Sequence, residues 1–190
     1  QADLMAANNV LAHVPDINDF AAGFTVLLKP QGVATFEFPH LMRLVEENQF
    51  DTIYHEHFSY LSLGTASRIF AAAGLAVFDV EELPTHGGSL RVFTQRADGG
   101  RQPRSERVDA LLRREADAGM LGAAWYAGFQ ARADKVKNDF LAFLLQMKRE
   151  GKRVAAYGAA AKGNTLLNYA GVRPDLVPFV VDRNPAKQGK

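Results

Sequence analysis

The chain has 190 residues, 47% of them apolar, a formal net charge of +1 and no cysteine. That apolar share is enough for a packed core. Balanced charge draws the chain to neither nucleic acid nor an anionic membrane. No apolar run is long enough to span a bilayer, and the lack of thiols excludes disulfides and thiolate metal sites and suits a cytoplasmic protein.

Leu4 to Leu11 is an apolar run that reads as a buried strand. A chain that opens inside a core element is expected to be a piece of a longer one. Asp16, with Asp19 three residues on, predicts a helix N-cap with acid in the first turn. Phe20, Phe24, Leu27 and Leu28 then recur at helical spacing. Lys29-Pro30-Gln31-Gly32 ends that helix, and Gly32 to Pro39 is β-rich. A short helix is expected over Leu41 to Asn48, and an irregular aromatic stretch over Phe50 to Leu61. A further helix is capped by Ser62 and stopped by Gly74. Leu75 to Leu83 and Ser89 to Gln95 read as strands joined by the turn Pro84 to Gly88, hence antiparallel. This is an α/β order, an early parallel pair closed by an antiparallel hairpin. It matches the second half of a Rossmann-like class I methyltransferase domain, and as fold analogy it says nothing of chemistry.

Residues 97–104 are polar and glycine-rich, a candidate linker. Two helices are expected next. Ser105 to Gly119 is highly charged, with Val108, Leu111 and Leu112 on its apolar side. The second carries Phe129, Ala133, Val136, Phe140, Phe143, Leu144 and Met147 in steps of three and four, a stripe suited to packing on a neighbouring domain. Arg153 to Tyr157, the small-residue turn Gly158 to Asn164, a helix through Tyr169 and Val177 to Val181 form a β-loop-α-β unit closing at Asp182. The chain therefore divides into residues 1–100 and residues 101–190, the latter a helical connector and the start of a partial Rossmann-like domain.

Tyr54-His55-Glu56-His57 is the densest polar cluster. A histidine can take a proton and release it near neutrality. A carboxylate beside it can orient the ring, and a tyrosine can donate to developing negative charge. The same four letters also read as a solvated loop with surface histidines. Zinc finds His55 and His57 but no third ligand. His13 follows the first strand, with Asn8 and Asn9 near the strand end where open α/β sheets bind ligands; alone, His13 reads as a turn residue before proline. His86-Gly87-Gly88-Ser89, with Arg91, reads as a plain hairpin or as a phosphate-holding turn. Gly158 to Asn164 could cradle a phosphate at a helix N-terminus with Lys162 adding charge, but it fits neither the G-x-G-x-x-G nor the P-loop pattern. Asp182 is placed like an acid that meets a ribose hydroxyl, or is a strand-end cap.

Taken together, six stretches resemble the sugar C-methyltransferases that act on nucleotide-linked keto-deoxysugars. They are Ala7-Asn8-Asn9-Val10-Leu11-Ala12-His13, Phe36-Glu37-Phe38-Pro39-His40, the run from Gln49 to Ser62, His86-Gly87-Gly88-Ser89, the run from Tyr157 to Asn164, and Val181-Asp182-Arg183-Asn184-Pro185. The resemblance implies S-adenosylmethionine as methyl donor. It also implies a zinc module and a glycine-rich cofactor loop that precede this stretch of the family's chain, with no zinc in the stretch itself. The implied substrate is a nucleotide-diphosphate 4-keto-6-deoxysugar, expected to be dTDP-linked; no nucleic acid or membrane partner is implied. By resemblance His57 is the base, Glu56 assists it, Tyr54 contacts sugar or cofactor, and His13 lies across the pocket. Asn8 and Asn9 are assigned to the cofactor, and Gly158, Lys162, Asn164, Arg183 and Ser89 to the substrate. Two other readings stand beside this one: a non-catalytic nucleotide-binding module, and an O- or N-methyltransferase on another small acceptor.

Overall fold

A computed structural model describes residues 1–189. They form two compact units: Gln1–Gln49 with His55–Ala127, and Phe50–Tyr54 with the residues from Gly128 onward.

The first unit is built on a four-stranded sheet. In chain order it holds β1 (Ala2–Asn8), α1 (Ile17–Leu27), β2 (Leu28–Pro39), α2 (Leu41–Glu46), α3 (Leu63–Ala72), β3 (Leu75–Leu83), β4 (Ser89–Arg96) and α4 (Glu106–Asp117). The strand order is β1-β2-β4-β3. β1 runs parallel to β2, while β4 is antiparallel to both β2 and β3. This is the expected α/β arrangement, a parallel pair closed by a hairpin. The caps are also as expected. The Asp16 carboxylate accepts from Asn18 and Asp19, the Ser62 hydroxyl accepts from Thr65, and Gly74 ends α3 at φ 78°.

The core lies where α1 and α3 cover β2. Phe24, Phe36 and Phe70, one from each element, stack in a row with ring centroids 4.5 Å apart at each step. Phe36, Phe38 and Phe70 are fully buried. α4 adds Val108 and Leu111 to the same cluster, so the charged helix packs on this unit beyond the polar residues 97–104.

Two details of β1 differ from expectation. Among the described residues it pairs with β2 alone, and Leu4 is 66% exposed while Ala7 is buried. A run of apolar letters cannot distinguish an edge from a covered strand. The register also jumps, Ala2 facing Leu28 and Leu4 facing Val33, so Lys29 to Gly32 bulge out of the ladder. A Cβ on Gly32 would lie 2.8 Å from the Ala2 carbonyl oxygen; only glycine lets the two backbones approach there.

The second unit holds α5 (Phe129–Arg149), β5 (Ala156–Tyr157), α6 (Ala161–Tyr169) and β6 (Val180–Val181), with β5 and β6 parallel. Phe50 packs its ring 5.5 Å from that of Tyr169. Tyr169 also donates its hydroxyl to Asp134 at 2.5 Å and accepts from Gln130 at 2.7 Å, joining α5 to α6. The stripe on α5 is covered only in part. Ala133 and Leu144 are buried, but Val136 and Phe143 are 41% and 48% exposed. Among the described residues no helix is long and apolar enough to cross a membrane.

Candidate active site

The C-terminal end of β1 brings two of the expected residues together. β1 stops at Asn8, which is exposed and pairs with Glu37 of β2. Asn9 takes the left-handed conformation at φ 55°, which asparagine tolerates, and its N–H donates to the Glu37 carbonyl at 2.7 Å. A 3-10 turn over Leu11–His13 follows. The Ala12 carbonyl accepts the N–H groups of Phe58 at 2.9 Å and Ser59 at 3.2 Å. These bonds pin the residues after His57 beside His13, and the two imidazole rings meet edge to face, centroids 4.6 Å apart at 64°. Tyr60 stands against the other ring, 6.0 Å from His57 at 88°. His13 and His57 are half-buried, whereas His55 and Glu56 are exposed. Tyr54 closes the Phe50–Tyr54 segment, which belongs to the second unit.

The hairpin turn near Ser89 is closed by its own atoms. Gly88 donates to the Thr85 carbonyl at 2.9 Å, and the buried Ser89 hydroxyl donates to the same carbonyl at 3.0 Å. Gly88 has φ 112°, and a Cβ there would lie 2.7 Å from Cγ of Arg43. A cavity of about 450 Å³ adjoins this turn, lined by His40, Arg43, Gly88 and Ser89 among others.

Sequence reasoning assigned no role to three buried polar residues beneath this edge. Glu37, on the face of β2 opposite Phe36 and Phe38, accepts from Arg91 at 2.9 Å and from the Thr85 hydroxyl at 3.2 Å. His40, 1% exposed, bonds through Nε2 to Glu115 of α4 at 2.8 Å. Glu115 also accepts the N–H groups of Leu63 at 2.6 Å and Gly64 at 2.9 Å. Burial pushes the Glu115 carboxyl up, but the bonds from His40, Gly64 and Leu63 outweigh it and hold the group below its ordinary value. The available signal was Glu37 itself, a charge inside a strand whose neighbours are both phenylalanine.

In the second unit the glycine-alanine loop is set by Asp182. Its carboxylate accepts from the Ala159 N–H and the Asn184 N–H, each at 2.8 Å. These two backbone bonds hold its carboxyl below the ordinary value. One oxygen thus holds the glycine-alanine loop and the other the turn that follows β6. Gly158, at φ 94°, donates to Val181 at 2.7 Å. Lys162 is half-buried, and Asn164 and Arg183 are exposed. These four substrate candidates lie in the second unit, while Ser89 and the histidine pair lie in the first. Among the described residues no group of three or more His, Asp or Glu side chains is arranged to hold a metal ion.

The chain resembles known proteins along its whole length. A family profile described as the C-methyltransferase C-terminal domain matches residues 84–190, and one described as a methyltransferase domain matches residues 1–80. The C-methyltransferase NovU of Streptomyces niveus is 38% identical over 189 residues, which cover 100% of this chain and 45% of NovU. The chain thus spans under half the length of that relative. Among solved structures, the 1,6-didemethyltoxoflavin-N1-methyltransferase of Burkholderia thailandensis aligns at a TM-score of 0.40 with 17% identity, over 50% of this chain and 44% of that one. A second, from work on conversion of a disulfide bond into a thioacetal group during echinomycin biosynthesis, aligns at 0.39 with 14% identity, over 61% and 55%. At these scores the two structures add nothing to the assignment.

Proposed function

Because this chain belongs to the C-methyltransferase family, we propose that the enzyme carrying it methylates the carbon beside the ketone of a nucleotide-diphosphate 4-keto-6-deoxysugar, dTDP-linked by preference. On this reading residues 1–100 are the C-terminal part of the methyltransferase domain, and residues 101–190 are a helical connector and the start of a Rossmann-like domain. The observation that carries the proposal is the edge-to-face contact of the His13 and His57 rings at the end of β1.

A ketone acidifies the hydrogen on its neighbouring carbon, because the electrons left behind spread onto oxygen. A neutral imidazole at position 57 takes that proton through its unprotonated nitrogen. The C–H electron pair becomes the enolate double bond, and the carbonyl π electrons move to oxygen. His13, in contact with the same ring, presents an N–H to that oxygen. Glu56 hydrogen-bonds the imidazolium as it forms, and Tyr54 touches sugar or cofactor. Gly158, Lys162, Asn164 and Arg183 of the second unit are the candidates for the nucleotide or diphosphate, whereas Ser89, 1% exposed with its hydroxyl given to the Thr85 carbonyl, is not free to contact substrate.

S-adenosylmethionine, when bound, supplies an electrophilic methyl group, and Asn8 and Asn9 are the residues of this chain that would hold it. Their position past the end of β1 suits a ligand of an open α/β sheet. An open hollow of about 510 Å³ runs beside β1, lined by Met5, Ala7, Phe20 and Phe24 among others. These residues suit one wall of a cofactor site.

The test is wash-out of deuterium from the sugar's α-carbon in the whole enzyme. Only an enzyme that deprotonates carbon releases that label, which separates this reading from O- or N-methylation and from mere nucleotide binding. His57→Ala should slow both wash-out and methylation by about 10²–10⁴-fold, the usual worth of a positioned base. Wash-out within a few-fold of wild type refutes the assignment of His57.

A further inference from the structure

The segment that carries His57 ends in a buried clamp. His40 bridges to Leu61, and the Leu41 N–H donates to the Leu61 carbonyl at 3.0 Å. The His40 side chain donates to Glu115, whose two oxygens hold the N–H groups of Leu63 and Gly64 at the start of α3. Residues 63 and 64 are therefore held by the Glu115 carboxylate, and residue 61 by the backbone of His40 and Leu41, with His40 itself tied to Glu115 through its ring. At the start of α3 the Glu115 carboxylate thus takes the N–H groups of Leu63 and Gly64, while the Ser62 hydroxyl takes that of Thr65 at 3.0 Å. Removing a carboxylate from water is costly, and a buried pair contributes little net stability. Here the pair joins α4, the residue that follows β2 and the start of α3.

That arrangement bears directly on His57. Beyond the ring, its segment is tied at Phe58 and Ser59 to Ala12, and at Leu61 to His40 and Leu41. We propose that His40 and Glu115 are positioning residues for His57: they hold the C-terminal anchor of its loop, so that the imidazole stays against His13 and in line with the proton it removes. The proposal rests on the reading of His57 as the base.

The whole enzyme tests it through a double-mutant cycle on the deuterium wash-out rate. Glu115→Gln should lower wash-out and kcat about 10- to 100-fold, the order expected for a misplaced catalytic group, and leave the KM for the nucleotide sugar unchanged. In the His57→Ala background the same change should cost nothing further. A merely structural role would lower the melting temperature in both backgrounds and leave the wild-type exchange rate alone. If Glu115→Gln does not fold, His40→Leu, which keeps both the Glu115 and Ser62 caps on α3, takes the same pair of measurements. Wild-type wash-out in the folded variant, or an equal loss in both backgrounds, overturns the proposal while the base assignment stands. Wash-out that survives His57→Ala removes the base assignment and the proposal together.

Discussion

Glu37 and Arg91 face each other across β2 and β4, and the Glu37 carboxylate, almost fully buried, takes the guanidinium at 2.9 Å. Its other oxygen accepts the Thr85 hydroxyl, and its carbonyl accepts the Asn9 N–H. One residue thereby joins the end of β1, the hairpin turn and β4. Glu37→Ala leaves partly buried donors short of a partner and should lower stability by about 1–3 kcal/mol. Arg91 also reaches Glu81 at 3.7 Å, but that pair is open to solvent, so Glu81→Ala should cost under about 1 kcal/mol. Urea unfolding at constant m-value compares them; equal losses would show that Glu37 acts as a surface charge.

The hairpin and the capped helices were legible because their signals are local. Asp16 and Ser62 stand at helix starts, Gly74 at a helix end, and the Pro84 to Gly88 turn between two strands. The buried His40–Glu115 pair was not legible. Glu115 shares α4 with Glu106, Asp109 and Asp117, and nothing in the spacing marks which acid turns inward; its partner comes from a distant turn. The contact of His13 with His57 is likewise long-range, and only the resemblance pointed to it. β1 was read as buried because apolar letters report a preference for burial, whereas its fulfilment depends on what else is near.

Phe36 is the middle ring of the Phe24–Phe36–Phe70 row and is fully buried. Phe36→Ala should therefore destabilise the first unit by about 3–5 kcal/mol, the transfer term plus an unfilled cavity. Phe143, on the open side of α5, is 48% exposed, and Phe143→Ala should stay within about 1 kcal/mol of wild type. Denaturant midpoints rank the two; a Phe143→Ala loss as large as that of Phe36→Ala would mean that the α5 stripe is covered in solution.

Glu115 also predicts an acid dependence. Its carboxyl is held below the ordinary value of 4.5 in the fold, burial opposing and the bonds from His40, Gly64 and Leu63 prevailing. The unfolded chain then binds the proton more readily than the folded one. Its contribution to stability is accordingly full above 4.5 and is lost as pH falls through the lower folded value. Arg114 and Tyr126 sense this charge as well, but neither titrates in that range. Glu115→Gln should be less stable than wild type near neutral pH, and the gap should narrow as the pH drops below 4.5. Urea midpoints taken across the acid range check this, and a gap independent of pH counts against an ionised Glu115.

His13 offers the sharpest separation of ring packing from ring chemistry. Its imidazole touches that of His57, so removing the ring disturbs the neighbour as well as the proposed N–H donor. His13→Phe keeps an aromatic edge against His57 in a slightly larger ring and removes the hydrogen-bonding nitrogen atoms. If His13 donates to the developing enolate oxygen, this variant should fold as wild type yet lose about 10²–10³-fold in deuterium wash-out, the usual loss of one oxyanion donor. His13→Ala should lose more than that, because the His57 ring is then also free to shift. If His13→Phe exchanges at the wild-type rate while His13→Ala does not, the ring serves as packing alone, and the enolate oxygen must find its donor elsewhere.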